Sequence, residues 1–192
     1  MRALLEIERE VLARLLSVEF DGAEPLRIQA ASILGAEPNC SCGCPSITPI
    51  VDRGAAPPAR LSSLLPVELA EIDRADGVPR TVLCFLDRDG YLGNVECVYY
   101  DEARPEWPPP DRCAVLVRDA QGLASVLLTN GAAVRPHDPA DRWVSFEANG
   151  DGGFCAATRS GYRECFAPDG SPLSRVLVTP STGPRAGGTG DS

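Results

Sequence analysis

The feature that most constrains the fold is the pattern from residue 81 onward: short apolar or β-branched runs, most of them separated by a polar residue and a glycine, with no internal repeat of sequence. TVLCFL, CAVLVR, SVLLTN, WVSFEA, GFCAAT, YRECFA and SRVLVT are punctuated by Asp89-Gly90, Gln121-Gly122, Asn130-Gly131, Asn149-Gly150, Ser160-Gly161 and Asp169-Gly170. Glycine supplies the positive φ that a tight reversal needs, so such runs pair as antiparallel strands. In TVLCFLDRDGYLGNVECVYY a two-residue tip at Asp89-Gly90 opposes Leu86 to Gly93, Cys84 to Val95 and Val82 to Cys97. Alternation then gathers Val82, Cys84, Leu86, Val95 and Cys97 on one core-facing side, with Cys84 and Cys97 as diagonal neighbours.

Upstream the period changes. Leu4, Ile7, Val11, Leu15 and Val18 recur at helical spacing across residues 2–18, and Glu10 and Arg14 are placed for an i,i+4 ion pair. Residues 24–34 suit a second helix, with Pro25 in its first turn and Gly35 as its stop; a strand through Leu26, Ile28 and Ala30 is the weaker alternative. Ile47 to Val51 reads as a short strand and RGAAPPAR, 53–60, as a loop. The expected fold class is therefore α+β: N-terminal helices packed on an antiparallel sheet, followed by a small C-terminal β meander. The stiff DEARPEWPPPD segment marks the boundary between an α+β domain over 1–110 and a β-meander subdomain over 111–179. Residues 180–192, rich in Gly, Pro and Ser, are expected to be a disordered tail.

Composition removes several function classes. The net charge is −9 and all 18 basic residues are arginine, so Schiff-base lysine chemistry and lysine-dependent phosphate loops are excluded. The acidity disfavours nucleic acid and anionic membrane surfaces and would instead attract a basic protein partner. No segment approaches the roughly 20 apolar residues that span a bilayer. Glu6, Glu8 and Glu10 within the first residues argue against a signal peptide. A cytoplasmic location is expected, with the eight cysteines as reduced thiols rather than a disulfide framework.

Catalytic constellations are scarce. His137 is the sole histidine and sits in the proline-broken loop RPHDPAD, without a Gly-x-Ser-x-Gly element elsewhere. Asp87 and Asp89 are spaced like calcium-loop ligands, but Gly90 comes too early and Tyr91 occupies a ligand position. No glycine-rich phosphate loop precedes a helix. No catalytic residue is assigned.

One stretch does carry chemistry: NCSCGCPS, residues 39–46. Thiolates are good ligands for zinc and better ones for monovalent copper. On an extended strand Cys40, Cys42 and Cys44 would share one side about 7 Å apart, too far to share an ion. A sharp turn at Gly43 closes that gap. Redox work would need a cation to lower a thiol pKa, and no arginine lies between Arg27 and Arg53. The plainest alternative is three small residues in a Gly/Pro turn. Cys84, Cys97, Cys113, Cys155 and Cys165 fall within apolar strands and read as small hydrophobes. A two-residue turn at Ser160-Gly161 would point Cys155 and Cys165 to opposite faces.

Through LLSVEFDGAEPLRIQ, NCSCGCPS and DGYLGNVECVYYDEARPEWPPP, the first 110 residues resemble small α+β proteins of GC-rich bacteria, some of them immunity-type proteins, that carry no activity to transfer. Two functions are expected on these grounds. One is a non-enzymatic, immunity- or adaptor-like protein that binds another, basic protein. The alternative is a metal- or thiol-handling protein using Cys40, Cys42 and Cys44 with zinc or monovalent copper.

Overall fold

The structure, a computed structural model, describes residues 1–61, 63–72, 80–99, 106–149 and 151–178. Among these residues two short α-helices, α1 (Glu6–Leu15) and α2 (Ala23–Ala31), precede twelve strands. These are β1 (Ile33–Pro38), β2 (Ile47–Val51), β3 (Val67–Glu71), β4 (Thr81–Leu86), β5 (Leu92–Val98) and β6 (Cys113–Asp119). Then come β7 (Gly122–Leu127), β8 (Ala133–Val134), β9 (Trp143–Ala148), β10 (Phe154–Thr158), β11 (Tyr162–Phe166) and β12 (Pro172–Leu177).

All the strands belong to one antiparallel sheet, in the order β1-β2-β5-β4-β3-β6-β7-β9-β10-β11-β12, with β8 attached to β7. The expected α+β class, N-terminal helices packed on an antiparallel sheet, is thereby overturned. Helices of 10 and 9 residues cannot form a layer against so wide a sheet. They add one patch to a β architecture instead. The continuity comes from β3, which the sequence pattern did not reveal. It lies upstream of the proline segment, yet it pairs with β4 on one side and β6 on the other.

Two apolar cores lie on opposite faces of this sheet. Val11, Leu12 and Leu15 of α1 join Val67, Leu69, Val82, Cys84, Val95, Cys113 and Val115 in the first. Ala70, Ala114, Leu116, Leu123, Val126, Trp143, Phe154 and Phe166 form the second. Successive residues of β3 and β6 therefore point into different cores, as strand alternation requires. Buried carboxylates on these strands are paired: Arg80 donates to both oxygens of Glu71 at 2.8 and 2.9 Å, and Arg118 donates to Glu68.

Several local expectations change for identifiable reasons. The first helix starts only at Glu6, because Arg2 exchanges two backbone hydrogen bonds with Ala36 and extends β1 at its outer edge. That approach is close: a Cβ on Gly35 would lie 2.8 Å from the Arg2 carbonyl oxygen. Gly35 is thus a strand residue that admits a neighbour rather than a helix stop. Arg14 does not pair with Glu10; it donates to the carbonyls of Cys113 (2.8 Å) and Leu128 (3.1 Å). Residues 23–31 are helical, so the strand alternative there fails.

At the hairpin between β4 and β5, Cys84 faces Val95 and Val82 faces Cys97 as expected, but Leu86 faces Leu92. The Asp87 N–H reaches the Tyr91 carbonyl at 2.8 Å, so Arg88, Asp89 and Gly90 all lie in the tip. A bulge nearby restores the register. Likewise Thr158 and Tyr162 flank a longer turn than two residues, which sets Cys155 opposite Cys165. Their sulfurs are bonded, at 2.09 Å, so the reading of eight reduced, unpaired cysteines is corrected. The expected tail over 180–192 lies outside the described residues.

Candidate metal centre

NCSCGCPS forms the connection between β1 and β2, at one edge of the sheet. Below it the two strands are in register, with Pro38 opposite Ile47, and the Asn39 N–H donates to the Ser46 carbonyl at 3.0 Å. Everything between those residues is looped out. Gly43 supplies the reversal at φ +83°, a region that L side chains avoid.

The reversal gathers the thiols. The Cα atoms of Cys40 and Cys42 are 5.6 Å apart, shorter than the roughly 6.7 Å of an extended pair. Their sulfurs are in bonding contact, and Cys44 Sγ lies 3.0 Å from Cys40 Sγ. All three sulfurs fall within 4.8 Å of one another. Cys40 and Cys42 are exposed and Cys44 is half-buried, so the cluster opens to solvent on one side only.

The base of the loop is fixed by long-range contacts that no local pattern announces. Cys44 Sγ is 3.2 Å from Ser46 Oγ, and that hydroxyl accepts the Cys97 N–H of β5 at 2.9 Å. Asn39 is held by Glu96 at 3.2 Å and by Thr48 at 3.4 Å. The half-buried Cys44 also lines a cavity of about 470 Å³ with Leu5, Ile7, Pro45 and Trp107.

The other cysteines are chemically distinct from this trio. Burial pushes the thiols of Cys84 and Cys113 up to about 12 and that of Cys97 up to about 11. They remain protonated near neutrality and are poor ligands. Cys84 and Cys97 belong to the first core and take no part in the cluster. Cys155 and Cys165 are bonded to each other on β10 and β11. His137 is exposed, and its backbone N–H points at the Glu164 carboxylate at 3.3 Å. Asp87 and Asp89 are both engaged by Arg53.

No protein-family model, no curated protein and no solved structure matches this chain. Among the described residues, no helix is long and apolar enough to cross a membrane.

Proposed function

We propose that this protein binds one soft metal ion through Cys40, Cys42 and Cys44. The reading rests on a single observation: three cysteine sulfurs, two of them bonded to each other, within 4.8 Å at a glycine-turned hairpin tip. Metal–thiolate bonds of about 2.3 Å set thiolates of one shell just under about 4 Å apart, so Cys40 must part from Cys42 and move slightly away from Cys44 to receive an ion. The trio contains no oxygen or imidazole donor. Three thiolates with no fourth ligand among the described residues suit monovalent copper better than structural zinc, which closes its shell with four. Zinc would keep an open position facing solvent or the cavity beside Cys44.

Binding requires the reduced trio, because an oxidised Cys40–Cys42 pair offers no thiolate from either residue. It also releases protons, so affinity rises with pH until the thiols are ionised. Elemental analysis of protein purified anaerobically with reductant tests the proposal. We expect close to one copper or zinc ion per chain, and none in a Cys40→Ser/Cys42→Ser/Cys44→Ser variant. Equal metal content in both proteins would refute it.

A further inference from the structure

The two ends of the sheet are treated differently. At β1 the outer edge is covered, because Arg2 exchanges two backbone hydrogen bonds with Ala36. At the other end β12 pairs only with β11 and closes the strand order, so its far side is open among the described residues. Every residue of β12 is exposed. Leu173 (63%), Val176 (58%), Leu177 (58%) and Val178 (48%) are among the most exposed large apolar side chains of the protein.

Backbone geometry says which groups are unused. The Val178 N–H donates to the Gly161 carbonyl at 2.8 Å, which points the even-numbered residues toward β11. The N–H and C=O groups of Arg175 and Leu177 therefore point outward, a template for another strand, up to the bulge at Leu173. Residues 179–192 offer no leucine, isoleucine, valine or aromatic side chain to match this apolar row.

We propose that β12 pairs antiparallel with β12 of a second copy of this chain, making the sheet continuous across a two-fold dimer. The segment is self-complementary. With the axis at Val176, valine faces valine, Arg175 faces the copy's Leu177, and Ser174 faces the copy's Val178. No like charges are directly opposed, because 172–178 contains one arginine and no acid. Arg175 is already neutralised by Glu164 at 3.1 Å, so the net acidity of the chain is not concentrated at this edge. Backbone hydrogen bonds run between Arg175 and Leu177 of the two copies, using groups that β11 leaves free. This dimer does not depend on the metal reading.

The test is sedimentation equilibrium of the full chain over a range of concentrations, with reductant and chelator present to silence the cysteines. We expect twice the chain mass of 20.4 kDa at high concentration. Leu177→Pro removes only an outward N–H and should weaken association about thirtyfold, with an unchanged circular dichroism spectrum. Val176→Lys opposes two cations and should abolish it. Val144→Lys, at another exposed apolar residue away from this edge, should leave it unchanged. A single-chain mass at every concentration overturns the proposal, as does a dimer indifferent to both β12 variants or equally lost in Val144→Lys.

Discussion

Replacing Gly43 by valine isolates the turn from the ligands it gathers. Gly43 stands at φ +83°, and no heavy atom lies within 4 Å of where its Cβ would be. The substitution therefore meets no clash. Its cost is conformational: holding an L residue in the left-handed region takes about 1–2 kcal/mol, with β-branched residues at the upper end. The loop is exposed and outside both cores, so the free protein escapes that cost by letting the tip relax. The ion-bound form does not escape it, since the three sulfurs must converge. The full penalty thus falls on binding, a loss of about 5- to 30-fold. Asn tolerates the left-handed region, so Gly43→Asn should retain most of the affinity. Competition against a chromophoric chelator for monovalent copper, under argon, reads the ratio directly. Wild-type affinity in Gly43→Val would refute the reasoning, and so would a loss accompanied by a matching fall in the unfolding midpoint of the free protein.

Other consequences concern the scaffold. The thiols of Cys84, Cys97 and Cys113 are raised from 9.0 to about 11–12, so the unfolded chain ionises first as pH rises. Their contribution to stability is intact below pH 9 and is lost toward pH 11–12, at about 1.4 kcal/mol per pH unit for each thiol. Urea midpoints should fall between pH 9 and 10, and a flat profile there would contradict the burial of these groups. Leu69→Ala, at a fully buried site on β3, should destabilise the fold by about 2–5 kcal/mol in chemical denaturation; a cost under about 1 kcal/mol would deny β3 its central place. A fragment starting at residue 106 loses β3 and bares Val115 and Val117 of β6, so it should show no cooperative thermal transition. A sharp transition in that fragment would show that the downstream strands fold alone.

The downstream half of the fold was legible because its strands follow one another, each with an alternating or continuous apolar run and a glycine turn. The strand that joins the halves was not. VELAE in β3 is buried on both faces, where a run of aliphatics is the usual signal. Here Glu68 and Glu71 interrupt it, and Arg118 and Arg80 neutralise them. β1 was hidden differently: Gly35 read as a helix stop, but an edge strand accommodates it where Arg2 approaches. Turn length decided the rest. One extra residue in the turn before Tyr162 moved Cys165 from the opposite face to a place beside Cys155.

At the candidate site, local sequence was enough for the ligands and their turn. The alternating cysteines and the glycine between them contain the whole convergence, because it happens within one hairpin tip. What holds that tip could not be read locally. The Ser46 hydroxyl bonded to the backbone of Cys97, and the cavity wall that includes Trp107, depend on residues brought together only by the sheet.

X-ray absorption at the metal edge of the loaded, reduced protein examines the central claim most directly. Three sulfur neighbours at about 2.2–2.3 Å, reduced in number by each single Cys→Ser change at 40, 42 or 44, are the predicted result. A first shell of nitrogen or oxygen, or a sulfur shell unaltered by those changes, would contradict it.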